Sequence, residues 1–342
     1  MFDKAALLFL YTETPLHAGS GTSLGIVDLP IQRERTTGYP MIQASGLKGC
    51  LRDMTTDHKN WCQDNNCPLY PHADWDRKVE IVFGPADTQR ASEHAGALSV
   101  GDARILLFPV RSLIGVFAWV TCPNVLARFK REAEMTGLSM SWNLIGPKDD
   151  GTALVADGSI LIANGKVVLE EFAFTAQTDS GVRAIAQWLK ANALPAGGEY
   201  AYWRDTLEKR LVILPENAFR DFVQLSTEII ARVRINNTTK TVERGGLWTE
   251  EHLPSETLLY ATLFASKPRV KDDDLPDDWK QASGRIEKIM EFIKEAIDGK
   301  RLQLGGDATV GRGIVKVRVV EPQAQAQGAR TTQPGGQPGG RP

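Results

Sequence analysis

With 342 residues, 42% hydrophobic content and 40 Lys and Arg against 42 Asp and Glu, the chain can bury one large core or two smaller ones. Its formal charge of −2 excludes a uniformly basic nucleic-acid binder while leaving room for a local basic groove. No apolar run approaches the ~20 residues a bilayer span needs, and Met1-Phe2-Asp3-Lys4 lacks the basic region of a signal peptide, so a cytoplasmic protein without membrane contact is expected. Cys50, Cys62, Cys67 and Cys122 are too few and too unevenly spaced for a disulfide framework, which leaves reduced thiols or metal ligands.

The first element is an apolar run, Ala5 to Leu10, short and rich in Leu and Phe; it places a buried strand at about Ala5 to Glu13. A loop follows in which Gly19, Gly21 and Gly25 free the backbone to turn and present bare amides, with His17, Asp28, Arg33 and Arg35 among them. Gly46 to Met54 has helical spacing, with Ser45 as N-cap and Lys48 and Arg52 sharing one face. A glycine loop, a helix N-terminus and two cations one turn apart would bind phosphate; the competing reading is a long surface loop and a solvated helix face.

Thr55 to Gly96, rich in His, Cys, Asn, Asp and Pro, reads as an irregular insertion. Its His58-x3-Cys62-x4-Cys67-x4-His72 set has the donors for a structural zinc, or consists of unconnected loop residues. The runs ALSVGDARILLFPV and LIGVFAWV between Ala97 and Val120 read as a pair of core strands, with Asp102 a turn or capping residue. Pro123 starts a helix through Met135 whose apolar face is Val125, Leu126 and Phe129.

Gly137 to Glu199 reads as an inserted subdomain with a strand at Lys166 to Phe174 and a helix at Val182 to Lys190; a strand at Leu211 to Leu214 and a helix at Glu216 to Leu225 follow. Ile229 to Ile235 alternates, with Arg232 and Arg234 on one face; Asn236-Asn237 turns it into a return strand at Thr239 to Val242. This basic hairpin is either an edge protected from aggregation or a nucleic-acid contact. Glu243 to Glu251 reads as a loop whose glutamates are solvated, or supply a metal ligand or base. A strand at Thr257 to Ala265, an acidic linker at Lys271 to Asp278 and an amphipathic helix at Arg285 to Ile297 come next. Leu302 to Leu304 and Ile314 to Val320 are strands around a second glycine loop, Gly305 to Gly313, and 321–342 is an apolar-poor tail expected to be disordered.

Neither glycine loop has Walker A or dinucleotide-binding spacing. The order strand, helix, strand, strand, helix, strand is that of an α+β, ferredoxin-like (RRM-like) unit, which in RNA-binding proteins presents a sheet and loops to single strands. HAGSG at 17–21, GIVDLPIQR at 25–33, ASGLKGxLR at 44–52, VFGP at 82–85, LSVGDAR at 98–104, FPVRS at 108–112 and GRG at 311–313 together resemble the RAMP superfamily of CRISPR proteins. Within it they resemble the backbone and target-RNA endonuclease subunits of type III-B Cmr effector complexes. The chain departs from that pattern at Thr249, where a tyrosine is expected, which weakens any role read onto the position, and at Gly46, where a second serine is usual.

The resemblance implies one RAMP domain over 1–320, its ferredoxin-like core drawn from about 5–56, 97–122 and 284–320, with insertions at 57–96 and 137–280 and a thumb-like hairpin. It implies a subunit that polymerises on guide CRISPR RNA, with other copies of itself and other type III-B subunits as partners, and cuts complementary target RNA at regular intervals. Arg33, Lys48, Arg52, Gly305, Gly306, Gly311, Arg312 and Gly313 fall where the family grips guide phosphates, and Arg232 and Arg234 lie on the thumb candidate. Asp28 falls on the family's catalytic aspartate, His17 on a supporting histidine, and Glu243 in an acidic region near the site. RNA carries its own nucleophile, the 2′-hydroxyl, so cutting needs an aligned backbone, a proton acceptor and relief of phosphate charge. Asp28 suits either a divalent cation (Mg or Mn) or that proton, and the family's metal dependence favours the ligand role. A non-cleaving scaffold and a guide-processing ribonuclease are the alternatives.

Overall fold

The computed structural model describes residues 4–64, 74–90, 92–280 and 284–322. β1 (Lys4–Thr12) leads through a long loop and β2 (Met41–Ile42) into α1 (Ala44–Asp64), with α2 (Trp75–Phe83) beyond. β3 (Leu98–Val100), β4 (Ala103–Ser112) and β5 (Val116–Thr121) precede α3 (Pro123–Met135). Then come β6 (Thr152–Val155), β7 (Ile162–Ala163), β8 (Lys166–Leu169), β9 (Phe172–Thr178), α4 (Ser180–Asn192), α5 (Ala201–Arg210), β10 (Leu211–Ile213) and α6 (Glu216–Leu225). The chain continues with β11 (Glu228–Ile235), β12 (Val242–His252), β13 (Leu258–Ala265), α7 (Asp277–Lys280), α8 (Arg285–Ile297), β14 (Arg301–Gln303) and β15 (Ile314–Val320).

β1 is an unbroken apolar run because both its faces are covered. Phe9 meets Phe129 of α3 and Trp188 of α4, with ring centroids 6.0 and 6.3 Å away. By the two-residue period of a strand, Leu8 and Leu10 face the other side, where α8 packs with Ile289, Met290 and Ile293 buried. Both edges of β1 are paired antiparallel, to β13 (Leu8 opposite Ala261) and to β15 (Leu8 opposite Val319). The sheet order is β14-β15-β1-β13-β4 and continues through β5, β10, β6, β9, β8 and β7. A bridge from Ser112 to Leu169 joins β4 to β8, so β4, β5, β10, β6, β9 and β8 close into a six-stranded, barrel-like ring.

Four expectations are corrected. The span 137–280 is not set apart from the core: it contributes β13, the strand between β1 and β4, and strands that extend the same sheet. The expected strand at Lys166 to Phe174 is instead the hairpin β8–β9, turned at Glu170. The region after Met54 is not irregular throughout. Buried positions Leu47, Leu51, Thr55 and His58 carry the helical spacing of α1 onward, the Thr55 hydroxyl donates to Leu51 O, and Trp75 Nε1 donates to Thr55 O, fastening α2 to α1. Ser45 does not cap α1. The helix begins at Ala44, whose N–H donates 2.8 Å to the Asp102 carboxylate, so the cap comes from the β3–β4 turn.

No helix among the described residues is long and apolar enough to cross a membrane.

The turn between β12 and β13 holds Glu256 at φ 69°, with one carboxylate oxygen buried and unbonded among the described residues. Burial pushes its carboxyl up to about 7. The folded state therefore binds the extra proton, and stability falls as pH rises from the unfolded carboxyl value through about 7. Glu256→Gln is expected to melt higher than wild type by a margin that grows between about pH 4.5 and pH 8, reaching up to about 3 kcal/mol. A margin independent of pH in calorimetric melts would remove the assignment.

Candidate active site

The loop from Glu13 to Pro40 is built as a succession of short pairings rather than as a free surface loop. Leu16 bridges Leu253, Gly19 bridges Ile31, and Arg33 bridges Pro40. Leu29 runs parallel to β12 opposite Glu250, donating its N–H to Thr249 O and accepting from Glu251 N, both at 3.0 Å. β12 is therefore the platform of the site. This also corrects the reading of 243–251 as a loop: the stretch is a strand, paired to β11 with Val233 opposite Leu247 and Ile229 opposite Glu251.

Asp28 is exposed, but its carboxylate is fixed. Thr249 donates to Asp28 Oδ2 through both its N–H and its hydroxyl, each at 2.8 Å, and Asp28 N–H donates 3.0 Å to Thr249 Oγ1. These bonds, the backbone one first, hold the carboxyl below its ordinary value, so it is ionised at neutral pH with Oδ1 unengaged by the described residues. Thr249, the departure that weakened any role at that position, is the residue that aims Asp28.

His17 is anchored two residues further along the same strand, its Nδ1 lying 2.6 Å from Glu251 O. A carbonyl only accepts, so the proton sits on Nδ1 and Nε2 carries the lone pair of the neutral ring. The two anchor points, Thr249 and Glu251, are roughly 7 Å apart along the strand. The second glycine loop closes on the same histidine: Gly306 N donates 2.9 Å to His17 O, and at Gly305, φ 76°, a side chain would overlap that carbonyl. The expectation that Gly305 and Gly306 share a site with the first loop therefore has a geometric basis. Gly313, φ 72°, is equally obliged to be glycine by Leu304 O, and Gly311, also at φ 76°, turns the chain.

Several expected phosphate contacts are committed elsewhere. Arg33 Nη2 lies 2.5 Å from Glu251 Oε1, and its Nη1 donates to Gly38 O and Val223 O, tying the loop to the last turn of α6. Lys48 donates 2.9 Å to Leu98 O and Arg52 to Gly84 O, so both cations secure α1 to its neighbours; burial pulls the Lys48 ammonium down. Arg232 is bound to Glu250 at 2.8 Å and to Asp307 at 2.9 Å. Arg234 stands out on the hairpin with its side chain 70% exposed, and the Arg312 side chain has no hydrogen-bond or ion-pair partner among the described residues. Glu243 lies across the irregularity in the β11–β12 register between Val233 and Ile235, its carboxylate 3.9 Å from Arg234, and makes no hydrogen bond to Asp28 among the described residues.

Of the zinc candidates, Cys67, His72 and the side chain of Cys62 lie outside the described residues. His58 is buried against Trp75, with Lys300 Nζ 2.9 Å from its Nδ1. Glu251, one of the glutamates expected to be solvated or to supply a metal ligand or base, is 5% exposed and accepts from Arg33, from Thr227 Oγ1 at 2.8 Å and from Ile31 N at 3.0 Å. His252 and Asp307 were not singled out at all. Trp248 to Leu253 reads WTEEHL, four polar residues in a row without polar–apolar alternation, so local pattern carries no sign of the strand.

The RAMP superfamily model matches residues 9–316. A Pyrococcus furiosus protein named CRISPR system Cmr endoribonuclease Cmr4 is 45% identical over 322 residues, covering 93% of this chain and 96% of its own. The CRISPR system CMR subunit Cmr4 of Saccharolobus solfataricus is 26% identical over 329 residues, 91% of this chain and 94% of its own. The crystal structure of oligomeric Cmr4 from Pyrococcus furiosus superposes with TM-score 0.64 at 36% identity, covering 93% of this chain and 98% of that one. A subunit in the cryo-EM structure of the type III-B Cmr-beta complex bound to cognate target RNA shares the fold, with TM-score 0.65 at 21% identity over 93% and 98% of the two chains.

Proposed function

Because the chain belongs to the RAMP superfamily, we propose that it is the backbone subunit of a type III-B CRISPR effector complex and an endoribonuclease. In this reading, copies assemble along guide CRISPR RNA with the other subunits of the complex, and each cuts target RNA paired to the guide. The observation that carries the reading is Asp28: an exposed, ionised carboxylate that accepts two hydrogen bonds from Thr249, with a third from the Asp28 N–H back to Thr249, on a loop that crosses β12 beside His17. Around it, Arg312 offers a cation to a phosphate backbone, the glycine loop shapes the surface with its Gly306, Gly311 and Gly313 amides bonded to His17, Ala308 and Pro15 carbonyls, and Arg234 extends the basic surface onto the hairpin, which we read as the thumb.

The finer fold reading is a ferredoxin-like core made of β1, α1, β4, β13, α8 and β15. Its support is the strand order β15-β1-β13-β4, antiparallel throughout, with α1 between β1 and β4 in the chain and α8 between β13 and β15.

A carboxyl held below its ordinary value is a weak base at neutral pH, so Asp28 suits charge placement better than proton abstraction. Its free Oδ1 fits a Mg or Mn ion that takes one carboxylate oxygen and fills its remaining positions with water and phosphate oxygens. Such an ion, when bound, would relieve charge on the scissile phosphate. His17 Nε2 is the lone pair best placed to accept the 2′-hydroxyl proton, its ring fixed through Nδ1. The 2′-oxygen would then attack the adjacent phosphorus, and the 5′-oxygen of the next nucleotide would leave.

The test is incubation of the reconstituted complex with end-labelled complementary RNA, with and without EDTA. Fragments at a regular spacing are expected, lost with EDTA and restored by excess Mg or Mn. RNA that stays intact under all conditions would put the non-cleaving scaffold ahead; cutting that ignores EDTA would remove the metal from the proposal.

A further inference from the structure

Alternation along β12 sends Thr249 and Glu251 to one face and Glu250 and His252 to the other. The second face meets the glycine loop at Asp307. One ligand atom from each of Glu250, His252 and Asp307 lies within 4.8 Å of the others. Glu250 is 6% exposed and His252 fully buried. His252 Nε2 is 3.4 Å from Asp307 Oδ2 and 3.9 Å from Glu250 Oε2, and its Nδ1 has no partner among the described residues. Asp307 is held at φ 61°, in the left-handed region that an aspartate seldom adopts.

Two carboxylates this close in a buried place require a cation. Arg232 supplies one, with Nε 2.8 Å from Glu250 Oε2 and Nη2 2.9 Å from Asp307 Oδ2. Neither Arg232 contact reaches the ring: with both carboxylates as acceptors the neutral imidazole turns Nε2–H toward them, and a metal entering there would take the Nε2 lone pair with the ring proton moved to the unpartnered Nδ1. His252 makes one long contact and keeps unused binding capacity, although it is aimed between the two carboxylates. Arg232 also has somewhere to go, because its side chain is 27% exposed on an open two-stranded hairpin.

We infer that Glu250, His252 and Asp307 form a divalent transition-metal site, with Arg232 as the counter-cation that withdraws when the metal enters. Two carboxylates and one imidazole suit Mn, Fe or Zn, whereas Mg and Ca gain little from the nitrogen. Three protein ligands leave positions open to water or to a phosphate oxygen. The metal would tie the base of the hairpin to the glycine loop. It would sit on the face of β12 opposite the Thr249–Asp28 contact yet beside the proposed base, the His252 and His17 ring centroids lying 5.4 Å apart, and its existence does not depend on the proposed reaction.

The probe is Mn2+ alone, titrated into the full chain after EDTA treatment and desalting, with bound ion read by electron paramagnetic resonance in the absence of RNA. Mn2+ discriminates against the thiolates of the His58 to His72 set. Asp28→Asn is expected to bind as wild type does, and Asp307→Asn at least ~100-fold more weakly. Arg232→Gln, which removes the competing cation, should bind roughly tenfold more tightly, a gain that misfolding cannot mimic. The site is refuted if Arg232→Gln binds no more tightly than wild type, or if Asp307→Asn binds as well as wild type.

Discussion

Replacing Asp28 by Asn should leave a complex that assembles and holds complementary RNA but cuts it at least ~100-fold more slowly. The substitution keeps size and hydrogen-bonding capacity. The amide oxygen can take the place of Oδ2 and still receive both donors of Thr249, so the loop retains its path across β12. What is lost is the negative charge at Oδ1. Guide and target are held by cations and base pairing, to which one carboxylate contributes little, so target binding should persist. Thr249→Val separates aim from charge: the bond from the Thr249 N–H survives and the two made by the hydroxyl do not. The Asp28 carboxyl then moves up toward its ordinary value, and the acid limb of the pH–rate profile should move to higher pH with a loss of roughly tenfold at neutrality. Single-turnover cleavage from acid to neutral pH, with gel-shift controls for target binding, reads both effects. Asp28→Asn complexes that cut at the wild-type rate would overturn the assignment.

Glu251→Ala should be among the most damaging single changes to stability. Its side chain is 7% exposed and that of Arg33 23%, and removing the carboxylate leaves the guanidinium enclosed without its counter-charge. The hydroxyl of Thr227 and the N–H of Ile31 lose their acceptor as well. Breaking such a pair costs about 3–5 kcal/mol, which for a chain of this size lowers the melting temperature by roughly 5 °C. Removing both partners should hurt less than removing one, so Arg33→Met combined with Glu251→Leu is expected to regain much of the loss. A Glu251→Ala protein melting within about 1 °C of wild type would show that the pair contributes little.

The elements that depend on local pattern could be read directly from the chain. β1, α8 and β15 show their apolar faces because one or both faces of each meet the core, and the hairpin shows its alternation although Ile229, Val233 and Ile235 stay exposed. The longer reach of α1 was hidden by the Cys, His and Asn that follow Met54, which resemble loop composition even though Thr55 and His58 continue the buried face. β13 was legible as a strand but not as the neighbour of β1, since no local signal records which edge a strand will join. The structure brings together Asp28, His17 and the glycine loops that the sequence singles out, because Thr249 and Glu251 of β12 anchor the first two and Gly306 bonds His17 O. Arg33, Lys48 and Arg52 are bonded to groups of their own chain, partners that a cation in sequence does not disclose. Thr249, Glu251 and Asp307 acquire their roles only when β12 is laid between two loops almost 280 residues apart in the chain, Asp28 to Asp307.

The pairing of β1 also bears on how the protein is made. Its two edges are completed by 258–265 and 314–320, so its hydrogen-bonding partners leave the ribosome long after β1 itself. At typical synthesis rates the run ALLFL emerges roughly 15–50 s before β13 exists. During that interval it is an apolar strand with two open edges, the kind of segment that seeds association between nascent chains. A chain interrupted before residue 258 would lack both neighbours of β1 and could not complete the sheet, so holdase protection of the N-terminal segment during translation should raise the yield of soluble protein more than any change to the later strands.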